Sequence, residues 1–473
     1  MVPFKISLNS IRLTIAVKYY FRNKVNELLN SFFVAISSSS PCPVPNYLGS
    51  AQCVFSFHSS LQLVISVFIP LFLISSFTQS IHLFFGLPLH VYPSTFILIT
   101  HEIGRFFIQY NNVPMGAEKV GNRLFITIPR RRFGIPATLN YIDLSTRARS
   151  PSLTPYPDMQ TSRSIVSVYR TRADECGRLW MVDTGTIEIP NNPRYLQPPA
   201  IVVYDLETDR QILRYTLKSS DLPANNTPTG LASITVVLKN GDCTDAYAYI
   251  ADVVTYGVIV YSLKQNDSWR HAHNYFHFNP TAGNLRVAGQ SFQWNDGVFS
   301  VAVGPAGPGG CRDLYFHPMV SSQEFSVSSC ELERRETNQT AFTVNIWSSG
   351  DRGTNSQSTM HGLHPPSKVM FFAEVGRDAV TCWNLAKPLT PGNVELLAQD
   401  QQRLSYPSDL HVIDDEVWVM ANTLPRFIYS RLDPEQYNFF VYRARVADLI
   451  AGTVCAEPYE TGSFNPGGYY KNP

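Results

Sequence analysis

Four oxygen-bearing side chains stand at the same place in a repeating pattern: Asp183, Asp252, Glu374 and Asn422. Each closes a short run of β-branched, aromatic and other apolar residues, as in Leu179-Trp-Met-Val-Asp183 and Met370-Phe-Phe-Ala-Glu374. Converging from separate segments, such groups could hold a cation or an amine, since hard cations take several oxygen ligands at about 2.3–2.6 Å. Ser408 and Asp409, in Tyr406-Pro-Ser-Asp-Leu410, read as an adjoining loop and complete the candidate ligand-binding set. Each of the four also has a local use, because Asp and Asn side chains bond nearby backbone amides in turns.

The histidines offer a second chemistry. His271, His273 and His277 share a face if their segment is a strand, but no carboxylate or cysteine accompanies them at ligand spacing, so they read as a surface loop. His317, His361 and His364 could each act as a general base near neutral pH, and nothing in the sequence selects one. Arg130-Arg131-Arg132 is the one basic run and reads as a solvated turn. There is no nucleophile-elbow, phosphate-loop or dinucleotide fingerprint, so acyl and phosphoryl transfer have no signature. The residues assign no catalytic group, no metal and no cofactor.

What must position these groups is a repeat. Six runs align on the kink: Leu124-Phe-Ile-Thr-Ile-Pro129, Leu179 to Asp183, Tyr249-Ile-Ala-Asp252, Leu314-Tyr-Phe-His-Pro318, Met370 to Glu374 and Val417-Trp-Val-Met-Ala-Asn422. Most are followed by a second β-rich run, the last being Phe427-Ile-Tyr429. The unit returns every 50–70 residues or so, close to a four-stranded blade of ~40–50 residues plus loops. The expected fold is all-β, a six-bladed β-propeller over about residues 109–456, with the kinked runs as inner strands facing one axis. An irregular β-sandwich is the alternative.

Composition narrows the function. A net charge of +1 without a basic stripe argues against nucleic acid as a partner. Six of the eight cysteines lie in the repeat region with no Cys-x-x-Cys pair, which favours disulfides in an oxidising compartment over zinc. Sequons at Asn225, Asn266 and Asn338 are glycosylation candidates on polar loops. Cys311 and Cys330 flank a hairpin and fall nearly opposite each other, where a bond could form; two free thiols are the alternative. Residues 1–108 stand outside the repeat, and residues 28–100 contain no Asp, Glu, Lys or Arg. That apolar segment reads as a membrane anchor, an internal signal sequence or a wrongly assigned first exon. A membrane is a partner only if the segment belongs to the protein. Residues 457–473 read as a flexible tail.

Several motifs carry a resemblance. Asn112-Val-Pro-Met-Gly116, Asp174-Glu-Cys-Gly-Arg-Leu-Trp180, Asp245-Ala-Tyr-Ala-Tyr-Ile-Ala-Asp252, Phe292-Gln-Trp294, Leu314-Tyr-Phe-His-Pro318 and Cys382-Trp-Asn384 resemble the insect yellow and major royal jelly protein family, nearer the yellow branch. The resemblance runs from about residue 111 to 455. It implies a secreted six-bladed propeller acting in cuticle pigmentation and melanin formation, holding a small aromatic amine or catechol at the channel mouth. Some members convert dopachrome, so a tautomerase is the alternative function. A metal-dependent hydrolase of six-bladed type is more distant. The resemblance also pairs Cys176 with Cys243 and Cys382 with Cys455. Two departures stand out. Residues 1–108 lack the family's signal peptide and first strand, and Cys311 and Cys330 are not part of the usual pattern.

Overall fold

The middle strands of the repeat are apolar at consecutive positions, not alternate ones. A strand can bury both faces only when it is sandwiched between neighbouring sheets. The structure, a computed structural model, describes residues 15–16, 107–223, 227, 229–335 and 344–456. Among them, six four-stranded antiparallel sheets are arranged as the blades of a propeller.

Blade 1 consists of Gly116–Val120, Arg123–Thr127, Leu139–Asp143 and Thr154–Pro155. Blade 2 consists of Val168–Ala173, Arg178–Asp183, Ala200–Asp205 and Arg210–Thr216. Blade 3 runs through Leu231–Leu238, Ala246–Asp252, Gly257–Ser262 and Asp267–Ala272. Blade 4 is Val298–Ala306, Arg312–Pro318, Gln323–Ser328 and Ile346–Asp351. Blade 5 is Ser358–His364, Val369–Glu374, Ala379–Asn384 and Val394–Gln399. Blade 6 has Pro407–Ile413, Glu416–Ala421 and Phe440–Arg445, and the two-residue strand Ile15–Ala16 pairs with its outer edge.

The apolar faces meet between blades. Trp180, Ile201 and Val203 of blade 2 pack on Ile250, Ile259 and Tyr261 of blade 3. Leu124 and Ile126 of blade 1 pack on Trp418, Met420 and Val441 of blade 6, which closes the ring. Each such side chain contributes about 1.5–3 kcal/mol when fully buried. Outer strands meet solvent on one side, and Arg210–Thr216 is correspondingly polar and exposed.

Three expectations are corrected. The kinked runs are the second strand of each blade, while the strands that precede them line the axis. The middle position buries both faces and so gives the stronger apolar signal. Phe427 to Tyr429 is helical, part of Leu424–Tyr429, because Pro425 suits a helical first turn and Leu424 and Phe427 bury together at an i, i+3 spacing. Ser408 and Asp409 lie in the innermost strand of blade 6, not on a loop.

Three disulfides join Cys176 to Cys243, Cys311 to Cys330 and Cys382 to Cys455, as expected. They suit an oxidising compartment. Asn266 is exposed on the turn between the last two strands of blade 3, whereas Asn225 and Asn338 lie outside the described residues. So do residues 17–106, with Cys42 and Cys53, and the tail 457–473. No helix among the described residues is long and apolar enough to cross a membrane.

Candidate functional site

The innermost strands begin at one end of the ring, and there they leave a cavity of about 320 Å³. Met115, Tyr169, Arg170, Ala232 and Phe299 line it from four blades. Tyr406 joins them from the approach to blade 6, and Ile428 and Tyr429 from the helix Leu424–Tyr429. Residues 293–296, leading into blade 4, complete the wall with Trp294 and Asp296, and Arg131 enters from blade 1. The site is thus a largely apolar pocket with five aromatic side chains and a few charged groups, the general form of a small-molecule site.

The segment carrying Asp296 is pinned on both sides. Trp294 N–H donates to the Gly283 carbonyl at 3.0 Å, Gly297 N–H to Val253 at 2.8 Å, and Val320 N–H to the Asp296 carbonyl at 3.1 Å. Gly297 is required for this approach, since a Cβ there would lie 2.4 Å from the Phe276 carbonyl oxygen. Asp296 is half-buried. Burial pushes its carboxyl up to about 6, against the pull of a Trp294 hydrogen bond and the Arg131 and Arg170 charges. Burial likewise raises Tyr169, Tyr406 and Tyr429, so these phenols stay neutral. Arg170 is fixed in place. It donates to the carbonyls of Ala232 at 2.8 Å and Ser408 at 3.2 Å, and its guanidinium carbon lies 4.7 Å from the Phe299 ring centre.

The six residues expected to bind ligand are all buried, and none is among the cavity-lining residues. Asp183 accepts from the amides of Val166, Ser167 and Gly185, from Gln197 and from Arg214. Asp252 accepts from the Gly230, Val254 and Thr255 amides and from Arg270. Glu374 is taken up by Thr381 at 2.9 Å and Arg377 at 3.0 Å. Asn422 donates to the Pro114 carbonyl at 2.8 Å, and Ser408 donates to Met115 at 3.0 Å. Three of the six therefore hold wall-forming segments: Gly230 through Asp252, and residues 114–115 through Asn422 and Ser408.

Asp409 belongs to a buried charge cluster around His411. His411 Nε2 lies 3.0 Å from Asp409, and Nδ1 lies 2.9 Å from Glu118 of blade 1. Burial alone would lower this imidazole. Asp409 and Glu118 override burial, against the opposing Arg172 charge, and raise it to about 9. The sequence reading missed His411, although Asp409 and His411 sit two apart on a strand and so share a face.

A second cluster joins blades 4 and 5. Ligand atoms of His317, Glu324 and His361 lie within 4.8 Å of one another, a donor set of a type that transition metals accept. Arg352 already contacts the same carboxylate at 2.7 Å and supplies the positive charge a metal would bring. His271, expected on a surface loop, is instead buried on the outer strand of blade 3, with Nε2 at 2.8 Å from the Leu332 carbonyl. Arg130-Arg131-Arg132 is no solvated turn either. Arg130 is buried and donates to four carbonyls, including Ile135 and Ile165. Arg132 stacks 3.8 Å over the Phe427 ring.

A family model for the major royal jelly protein matches residues 166–455. L-dopachrome tautomerase yellow-f of Drosophila melanogaster is 43% identical over 377 residues, covering 77% of this chain and 87% of that protein. Protein yellow of the same species is 40% identical over 359 residues, covering 74% of this chain but only 65% of its own length. Among solved structures, a streptogramin B lyase aligns at a TM-score of 0.38 with 11% identity, over 73% of this chain and 97% of that one. With a matching family model over more than half its length and relatives of this identity across most of it, the chain belongs to the yellow and major royal jelly protein family.

Proposed function

We propose that the chain is a secreted pigment-pathway protein that takes an oxidised catechol into the mouth cavity and tautomerises it, dopachrome being the substrate. The observation that carries this reading is Asp296: a carboxyl with a raised pKa, held among aromatic walls at the channel mouth. The relative named as an L-dopachrome tautomerase supports it. The reaction moves protons only. Two C–H protons leave the saturated ring in succession, their electron pairs flow into the quinone, and both quinone oxygens end as hydroxyls, so product and substrate are isomers. Asp296, mostly ionised at pH 7, is the base. Tyr169, Tyr406 and Tyr429, kept neutral by burial, are the available donors toward the quinone oxygens.

A protein that binds an aromatic amine or catechol without turnover is the second reading, favoured by the aromatic lining itself. A metal-dependent hydrolase gains no support, because Asp183, Asp252 and Glu374 are occupied by N–H and O–H donors. The test is the decay of dopachrome absorbance with the purified protein. Asp296→Asn is expected to lower the catalysed rate by about 10²–10⁴-fold with unaltered folding. The wild-type rate is expected to rise with pH through about 6. Undiminished turnover by Asp296→Asn would remove Asp296 from the mechanism, and none by the wild type would leave the binding reading.

A further inference from the structure

The three consecutive arginines face three different environments. Arg130 is buried and bound to backbone carbonyls, and Arg132 is laid over Phe427. Arg131 stands between these two anchors, half-buried, and lines the cavity. Among the described residues its guanidinium makes no hydrogen bond and no ion pair. It lies near enough to lower the Asp296 pKa by its charge, yet outside ion-pair distance of that carboxylate. The other cavity guanidinium, Arg170, is by contrast engaged by Ser408, Ala232 and Asp409.

A partly desolvated guanidinium without a partner is costly, and its fork matches a carboxylate through two parallel hydrogen bonds. An amine is a poor fit there, since like charges oppose each other. We propose that Arg131 binds the carboxylate of the ligand, so that the cavity selects a carboxylated aromatic bicycle over the same ring without the acid and over aromatic amines. This rests on the reading of the mouth cavity as the ligand site. It sets the ligand's orientation: the carboxylate goes to Arg131 and the ring lies between the aromatic walls, beside Asp296. It also replaces the amine expected from the sequence with an anion.

The test separates recognition from turnover. Calorimetry uses indole-2-carboxylate and its methyl ester, two inert ligands with the same ring, of which only the acid carries the negative charge. Wild-type protein is expected to bind the acid at least tenfold tighter than the ester. Arg131→Gln is expected to abolish that preference, and Arg131→Lys to restore part of it as a point charge. With L-dopachrome and its methyl ester as substrates, Arg131→Gln should raise KM for the acid alone, and loss of its charge should move the rise of kcat with pH upward for acid and ester alike. Equal wild-type affinity for acid and ester, binding of neither, or a preference that survives Arg131→Gln would overturn the proposal. Discrimination in calorimetry without turnover of dopachrome would uphold it and sink the tautomerase reading instead.

Discussion

His411 should make the stability of this propeller fall as the solution turns mildly alkaline. Its two ring nitrogens face Asp409 at 3.0 Å and Glu118 at 2.9 Å, and all three groups are buried. The two carboxylates favour the doubly protonated imidazolium: Nε2 is hydrogen-bonded to Asp409, and Glu118 acts on the ring through its nearby charge. The pair of carboxylates raises the pKa from 6.5 to about 9. The folded protein therefore holds a proton that the unfolded chain has released. Its contribution is fully present below pH 6.5 and is lost as pH rises through about 9. At roughly 1.4 kcal/mol per unit, the loss comes to about 3 kcal/mol across that window. Urea unfolding at several pH values between 6 and 9.5 would measure it as a decrease of the midpoint at constant slope. His411→Gln should be about 3–5 kcal/mol less stable at pH 6.5, because two buried carboxylates lose their cation, and its stability should be nearly flat over the same range. A wild-type protein of constant stability from pH 6.5 to 9 would refute the reasoning, as would an undiminished slope in His411→Gln.

The disulfides and the saturated carboxylates give further tests. Removing Cys311–Cys330, which spans 19 residues, should cost about 3 kcal/mol, and removing Cys382–Cys455, which spans 73, about 1 kcal/mol more; denaturant melts of the paired Cys→Ser variants rank them. Asp252→Asn and Glu374→Gln should each lower stability by about 1–3 kcal/mol, because buried donors lose a charged acceptor. Asp252→Asn should also weaken ligand binding through Gly230 in the cavity wall, whereas Glu374→Gln should leave affinity unchanged; calorimetry on both variants distinguishes the two roles.

The fold was legible because burying both faces of a strand leaves a dense signal. Trp180, Met181 and Val182 are apolar in succession only since blades pack on either side of them. That same density misplaced the axis, because the strands nearest it carry polar groups: Ser408 donates to the Met115 carbonyl, Asp409 accepts from the Ala117 amide, and His411 pairs with Glu118, all across to blade 1. The helix Leu424–Tyr429 escaped notice since Phe427-Ile-Tyr429 alone has no period to separate helix from strand.

The cavity was illegible for a different reason. Its charged groups occur once, not six times. Asp183, Asp252, Glu374 and Asn422 were conspicuous because their position recurs, and a recurring position serves a need that every blade has: the turn after the second strand must be tied down by an acceptor or a donor. Their hydrogen bonds to Gly185, to Val254 and Thr255, to Arg377 and to Leu424 are of that kind. A ligand has no such six-fold symmetry. The groups proposed to meet it break the repeat: Asp296 stands between Trp294 and Gly297 on the way into blade 4, and Arg131 within a run that reads as solvated. In a propeller, then, repetition marks the scaffold. The uncommitted charge among aromatic walls, visible only once the blades are assembled, marks the place where chemistry can occur.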